Sequence, residues 1–338
     1  MVSRSGFFVR SNTPSYISAF RHGLLAAAFI GFILVGPVFA QTTARAHSQV
    51  LGADAPFSFP ETLVAGPQGS VYLLDTDLST LFSIDTRTNK LNRICGPEKL
   101  SSPSDLAVDG KGNLWVLSAL RSRISKLNRQ CDVQAEITSK SLPLKIATNT
   151  LGEIIILNGR GDNLFDVYGS DGKFLRGFGK RIDYKDETTN SELSDGHLAP
   201  DRAGGFYFSF NYPPLIRHYG RQGNLIGEFK PESDVEIGPP NVSARQVGKS
   251  IAVRSTYQIL VLDMTVDRQG RLYLLLSGKN KIPALTEGTR KLTILAGDGR
   301  VLKKAELEYN FHRLVAGNSR LYLLRNRKPI RLDTYAML

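Results

Sequence analysis

The stretch DGKGNLWVL, from Asp109 to Leu117, decides the fold because it encodes a tight turn followed by a strand. Asp109 at the first turn position and Gly112 at the fourth favour a type I β-turn, in which glycine supplies the positive φ from which the next strand leaves. The residues before the turn, Ser104–Asp109, also have strand character. The stretch therefore predicts a β-hairpin.

The hairpin recurs five more times along the chain. The other copies are GPQGSVYLL (Gly66–Leu74), NTLGEIIIL (Asn149–Leu157), DRAGGFYF (Asp201–Phe208), DRQGRLYLL (Asp267–Leu275) and AGNSRLYLL (Ala316–Leu324). Their fourth turn positions are separated by 43, 40, 52, 66 and 49 residues. Periods of about 40 to 50 residues with four short strands each are typical of β-propellers. The sequence therefore predicts an all-β protein with six propeller blades.

Residues 1–40 have the features of a signal peptide. An acid-free segment with three arginines precedes the apolar run Leu24–Val35, and Val38-Phe39-Ala40 is a small-residue cleavage site. The run is shorter than the roughly 20 residues that a membrane span needs, so cleavage after Ala40 is predicted and an uncleaved anchor is the alternative. Residues 41–338 then form a single exported domain, periplasmic or extracellular.

The charge of the mature chain bears on its partners. Loss of three arginines with residues 1–40 leaves 40 basic and 31 acidic residues, a net charge of about +9. These charges are scattered without a stripe or interleaved aromatics, which argues against nucleic-acid binding. An anionic envelope surface is one candidate partner. We expect a monomer that recognises a partner protein or a small molecule.

The last blade stops one strand short. Its final strand is predicted at Pro329–Asp333, after which the chain ends at Leu338. A propeller left open would expose unpaired backbone groups. The segment Ser48–Leu51, which precedes the first blade, is therefore predicted to supply the outer strand of the last blade and to close the ring.

A polar residue occurs four positions before each turn, at one level of the six inner strands. The column consists of Thr62, Asp105, Lys145, His197, Asp263 and His312. Inner strands line the central channel, so these residues are predicted to form a ligand-binding ring. His197, Asp263 and His312 could hold a divalent metal ion, whereas Lys145 suits an anionic ligand such as a sugar acid. The alternative is that the residues cap strands and bind channel water.

Three long loops and one cysteine pair complete the candidate features. The loops are 180–196, 231–258 and 277–290, and all are expected on the face where the inner strands begin. Loops of this length are usually functional or disordered. Cys95 and Cys131 could form a disulfide, but they are predicted at opposite ends of their blades, so the pairing stays open.

The phrase P-x-D-L-A-V-D-x-x-G-N-L-W-V-L, at Pro103–Leu117, resembles the NHL-type repeat of six-bladed propellers. The resemblance implies the fold but not one activity, since this fold group includes gluconolactonase-like hydrolases, amidating lyases, sensor domains and adhesion modules. Gluconolactonase-like enzymes hold calcium with Glu, Asn and Asp, but Glu61 lies beside the column. Amidating lyases use three histidines, and the ring offers two. A binding or sensor module is therefore preferred over a metal-dependent hydrolase or lyase, and an envelope scaffold is the third alternative.

Overall fold

The computed structural model describes residues 42–44, 48–51, 56–247, 250–278, 290–326 and 330–337. The predicted signal peptide and most of the loop 277–290 lie outside these ranges. Within the ranges, no helix is long and apolar enough to cross a membrane. Two short strands come first in the chain, β1 (Thr42–Ala44) and β2 (Ser48–Leu51).

Six antiparallel sheets follow, which confirms the six-bladed propeller. Blade 1 consists of β3 (Pro60–Ala65), β4 (Val71–Asp75), β5 (Thr80–Asp85) and β6 (Lys90–Cys95). Blade 2 consists of β7 (Asp105–Val108), β8 (Leu114–Ser118), β9 (Arg123–Leu127) and β10 (Val133–Thr138). Blade 3 consists of β11 (Pro143–Thr148), β12 (Ile154–Asn158), β13 (Phe165–Tyr168) and β14 (Phe174–Phe178).

The second half of the chain carries two additional elements between its blades. A short helix, α1 (Glu187–Leu193), precedes blade 4, which consists of β15 (Gly196–Pro200), β16 (Phe206–Phe210), β17 (Ile216–Tyr219) and β18 (Leu225–Phe229). A separate hairpin, β19 (Asn241–Val247) with β20 (Ser250–Thr256), follows. Blade 5 has β21 (Val261–Val266), β22 (Leu272–Ser277), β23 (Arg290–Leu295) and β24 (Val301–Leu307). Blade 6 has β25 (Arg313–Ala316), β26 (Arg320–Arg325) and β27 (Arg331–Ala336).

The first strands of the six blades surround a central channel. Each packs beside the first strand of the next blade, and β25 packs beside β3, so the ring is complete. We call the face where these strands begin the top and the face with the six hairpin turns the bottom. The turns are held by their first residue. In blade 2, Asp109 Oδ1 accepts hydrogen bonds from the backbone N–H groups of Lys111 and Asn113, both at 2.9 Å, and Gly112 has a φ of 82°.

The core is divided into six apolar clusters, one between each pair of neighbouring blades. One aromatic or apolar residue from the second strand of every blade enters the cluster shared with the next blade. These residues are Tyr72, Trp115, Ile155, Tyr207, Tyr273 and Tyr322. Since each blade buries its side chains against its neighbours, the stability of the ring depends on all six junctions.

Two N-terminal strands pair with the outer strands of the last two blades. Strand β2 lies antiparallel to β27, with Ser48 opposite Thr334 and Leu51 opposite Leu332. The partner strand continues to Ala336, beyond the predicted limit of Asp333. Strand β1 was not predicted, and it runs parallel to β24 as a fifth strand of blade 5.

A disulfide joins Cys95 to Cys131, with their Cα atoms 5.8 Å apart. The prediction that they lie at opposite ends was misleading, because sheet twist of about 20–25° per strand accumulates across a blade. The outer strand of one blade therefore ends beside the outer turn of the next. At the blade 3–4 junction Phe178 lies over Gly223 in the same way, and at the blade 4–5 junction Phe229 lies over Gly299. Cys131 holds the left-handed turn position, with a φ of 65°, that glycine holds in those turns.

Candidate functional site

The top half of the channel is a chamber of about 230 Å³ lined by the six inner strands. Five of the six predicted ring residues line it. They are Thr62, Asp105, Lys145, His197 and Asp263. Each of them lies opposite a residue of the second strand of its own blade. That partner comes two positions after the second-strand residue that enters the core between blades. The side chains therefore lie at one level of the channel, which we call the polar ring.

The sixth ring position belongs to Arg313 and not to the predicted His312. The turns of blades 1–5 are closed by a backbone hydrogen bond between residues four apart, such as Asp109 N to Asn113 O. In blade 6 the bond runs from Gly317 N to Arg320 O, three residues apart. The ring position was predicted four residues before each turn, and because this turn is one residue shorter, the prediction for blade 6 was displaced by one residue. A shift of one residue exchanges the two faces of a strand.

The layer below the ring is narrow and mostly apolar. Val64, Ala107, Ala147, Ala199 and Thr265 lie there, each opposite its blade's core residue on the second strand. Val315 takes the sixth place, opposite Tyr322. Small side chains at this level keep the channel open towards the bottom face.

Asp105 and Asp263 hold neighbouring blades together from the ring. Asp105 Oδ2 accepts a hydrogen bond of 3.0 Å from the backbone N–H of Ile146 in blade 3. Asp263 Oδ2 accepts one of 2.8 Å from the backbone N–H of Leu314 in blade 6. In both cases the donor immediately follows the ring cation of the next blade. Most of the acceptor capacity of these two carboxylates is therefore directed to the fold.

Asp105 is the most deeply buried charge of the ring. Its Oδ1 accepts a hydrogen bond of 3.0 Å from Thr62 Oγ1, and the residue is 6% exposed. Burial raises the pKa of Asp105, because the charged form loses its hydration, whereas the positive charge of Lys145 and the hydrogen bonds act in the opposite direction.

The two ring cations differ in their surroundings. Arg313 Nε donates to Glu61 O at 2.6 Å, its Nη1 donates to His312 O at 2.9 Å, and its Nη2 lies 3.4 Å from Glu61 Oε1. Lys145 is half-buried, and its charge acts on Asp105. Within the described ranges, the ammonium group of Lys145 has no carboxylate at ion-pair distance. Glu61, which lies beside the column in sequence, therefore serves Arg313.

The predicted metal set is not assembled. His197 Nδ1 lies 3.4 Å from Asp263 Oδ1, but Arg313 takes the place expected for His312. Among the residues that the structure describes, no group of three or more His, Cys, Asp or Glu side chains is arranged to hold a metal ion. The calcium set of gluconolactonase-like enzymes does not fit either, because Asp105 and Asp263 are bonded to backbone N–H groups and a guanidinium adjoins Glu61.

The loops around the top mouth contact one another at blades 4 and 5. Ser255, at the end of the β19–β20 hairpin, donates a hydrogen bond of 3.2 Å to Glu192 of α1. Tyr212 is 6.4 Å from Tyr184 and 6.1 Å from Tyr257, measured between ring centroids. Burial, with a smaller contribution from Tyr212, raises the pKa of Tyr184 to about 12. This aromatic cluster was not apparent in the sequence because its three members come from three different loops.

Fold and channel together define the class of this protein, a six-bladed β-propeller with a polar ring in its channel. No protein-family model matches the sequence, and no curated protein matches it. Several solved structures are similar. A streptogramin B lyase has a TM-score of 0.52 at 15% identity, with 85% of this chain and 96% of that chain covered.

Two further solved structures are similar over most of the chain. A gluconolactonase from Xanthomonas campestris has a TM-score of 0.56 at 12% identity, over 88% of this chain and 96% of that one. A DUF4221 member from Bacteroides vulgatus has a TM-score of 0.61 at 10% identity, over 88% and 98%. Identities this low establish the fold and not the activity.

Proposed function

We propose that this protein is an exported NHL-type propeller that binds a small anionic ligand in the top chamber. The ligand class is a carboxylate, such as a sugar acid, with Lys145 as its main anchor. The observation that carries the proposal is the contrast between the ring carboxylates, which accept backbone hydrogen bonds, and Lys145, whose ammonium has no described ion-pair partner.

The physical argument concerns charge in a confined space. A half-buried ammonium loses part of its hydration, and Asp105 compensates it incompletely because burial also disfavours the charged form of that carboxyl group. A ligand carboxylate would supply the missing negative charge. A chamber of about 230 Å³ favours a ligand of small-molecule size. The loops with the tyrosine cluster would then control access, and a partner protein docking on them is the alternative occupant of the top face.

The test is the affinity for gluconate, measured by isothermal titration calorimetry. Lys145→Met should weaken binding by about tenfold or more, the effect of losing one charged hydrogen-bond partner. Lys90→Met is the matched control, because Lys90 is an exposed lysine of an outer strand. Equal affinity in both variants, at unchanged melting temperature, would contradict the proposal.

A hydrolase or lyase is the second candidate, favoured by the contact of His197 with Asp263. A carboxylate beside an imidazole can orient the ring, which is the arrangement of a general base with its orienting acid. The assay is lactone hydrolysis by the wild type, with and without added divalent cations. Turnover that is lost in His197→Ala but kept in Lys145→Met would favour the enzyme over the binding module.

A further inference from the structure

The bottom end of the channel forms a second chamber, of about 450 Å³, that the polar ring does not reach. It is lined by the hairpin turns of blades 1–6. A neck shared by the two chambers connects them, and it consists of Ala65, Val108, Thr148, Pro200, Val266 and Ala316. The mouth of this chamber has its own charge pattern.

Two arginines occupy the same turn position in neighbouring blades. Arg202 is the second turn residue of blade 4, and Arg268 is the second turn residue of blade 5; both are exposed and line the chamber. Arg202 Nε donates to Asp267 O of the next blade at 3.3 Å. Arg268 Nη2 donates to Asn318 Oδ1 of the blade after that. Each side chain is thus directed along the rim by a hydrogen bond across a blade junction.

The remaining donors of these guanidinium groups are available. Among the described residues, no acceptor binds the two Nη atoms of Arg202, or the Nε and Nη1 atoms of Arg268. A guanidinium group with free N–H groups in a fixed orientation matches the oxygens of phosphate and carboxylate groups.

The acids that line the same chamber, Asp201 and Asp267, are bonded within the fold. The two central residues of the six turns include Lys111, Arg202 and Arg268 but no Asp or Glu. The acids that begin the turns of blades 4 and 5 are buried and already paired. Asp201 Oδ2 lies 2.7 Å from His218 Nε2, and Asp267 Oδ2 lies 2.7 Å from Arg271 Nε. Among the described residues that line this chamber, the exposed charges are therefore the guanidinium groups of Arg202 and Arg268.

We propose that the bottom mouth is a second ligand site, in which Arg202 and Arg268 together bind a phosphate group. The group could belong to a soluble phosphate compound or to an anionic lipid headgroup, since both present the same oxygens. The site shares no charged residue with the polar ring, so it does not depend on the ligand proposed for the top chamber.

The test uses the full mature chain carrying Lys145→Met, so that the upper chamber does not contribute. Binding of inorganic phosphate is measured by titration calorimetry. Adding Arg202→Ala with Arg268→Ala should weaken binding about tenfold or more, whereas the control pair Arg87→Ala with Arg121→Ala, two exposed arginines, should leave it within twofold. Equal affinity in the two double variants, or no phosphate binding before they are introduced, would overturn the proposal.

Two additions make the experiment decisive. If the double alanine variant loses its cooperative melting transition, Arg202→Gln with Arg268→Gln replaces it, because glutamine keeps one donor and much of the side-chain length. Sedimentation with phosphatidylcholine vesicles, with and without phosphatidylglycerol, then identifies the source of the phosphate. If the protein binds vesicles and the variant loses both vesicle and phosphate binding, the phosphate belongs to a lipid headgroup. If the variant loses phosphate binding and neither protein binds vesicles, the ligand is a soluble phosphate compound.

Discussion

The polar ring consists of two halves with a similar pattern of contacts. Blades 1–3 contribute Thr62, Asp105 and Lys145, and blades 4–6 contribute His197, Asp263 and Arg313. In each half the first residue contacts Oδ1 of the aspartate, and Oδ2 accepts the backbone N–H that follows the cation.

The halves differ at the cation. Arg313 is bonded to Glu61 and to backbone carbonyl groups, whereas Lys145 faces the chamber with Asp105 as its charged neighbour. The comparison shows that the two halves use their aspartates alike, to join neighbouring blades, and differ in how strongly the cation is bonded to the fold. Each prediction below changes one half and compares it with the other.

The half formed by blades 4–6 also depends on the N-terminus, because β2 completes blade 6. Deleting residues 41–56 should lower the melting temperature by about 10 °C. The deletion removes the backbone pairing with β27 and the burial of Leu51, together about 3–5 kcal/mol. Calorimetric melting of the mature chain is the measurement. Deleting residues 41–46, which removes β1 alone, should cost much less, and an unchanged melt in the longer deletion would show that β2 does not close the ring.

Removing either ring aspartate should weaken a blade junction, and Asp105 should matter more. Asp105→Ala leaves Thr62 Oγ1 and Ile146 N without their acceptor in a buried place, so we expect a loss of about 3 kcal/mol in the free energy of unfolding. Asp263 is less buried than Asp105, so Asp263→Ala, which removes the acceptor of Leu314 N, should cost about 2 kcal/mol. Urea unfolding measures both. The reverse order would mean that burial does not set the strength of the two junctions.

The contribution of Asp105 to the free energy of unfolding should depend on pH. Because its pKa is raised above the ordinary value of 3.8 in the folded protein, the folded state binds this proton more tightly than the unfolded state. The resulting stabilisation is complete below about pH 3.8 and is lost as the pH rises through the raised folded pKa. The stability advantage of the wild type over Asp105→Asn should therefore shrink in urea titrations as the pH rises above about 4.

A surface aspartate, Asp171, serves as a control, because its effect on stability should change with pH in the opposite direction. The backbone hydrogen bond from Lys173 lowers the pKa of Asp171, so any advantage over Asp171→Asn should grow as the pH rises from acid. If both variants showed the same slope, the pH dependence would have a source other than Asp105.

The smallest effect is expected when Arg313, the second cation of the ring, loses its carboxylate partner. Glu61→Gln should free Arg313 from its carboxylate and increase gluconate affinity about twofold to threefold, because a partly exposed ion pair contributes at most about 1 kcal/mol. Titration calorimetry measures this gain, with Glu136→Gln as the control, since Glu136 pairs with Arg123 on outer strands of blade 2. No gain in Glu61→Gln would mean that Lys145 alone determines anion binding.

Much of the fold could be predicted because its signals are local. A turn that begins with Asp109 and ends with Gly112 needs only a few neighbouring residues to form, so its copies reveal the six blades. The polar ring was predicted at five positions for the same reason. The sixth position failed because the length of the turn at Gly317 is set by backbone pairing, which the residue pattern does not display.

The missed features depend on contacts between distant parts of the chain. The bonding of Arg313 to Glu61 joins the last blade to the first, and the tyrosine cluster joins three loops. The pairing of Cys95 with Cys131 depended on accumulated sheet twist, for which the sequence carries no local mark. The proposed anion site at Arg202 and Arg268 also became visible only when their turns were placed side by side.

The disulfide makes the blade junctions unequal in their resistance to separation. It links blade 1 to blade 2 across 36 residues of chain, and the chain-entropy model assigns such a loop about 3–4 kcal/mol. Blade 6, by contrast, is completed by a four-residue strand that no covalent bond retains. We therefore expect the ring to open first at blade 6, whereas blades 1 and 2 stay joined longest. A molecule that enters the channel from the side would then pass through the junction at blade 6 and not through the other five.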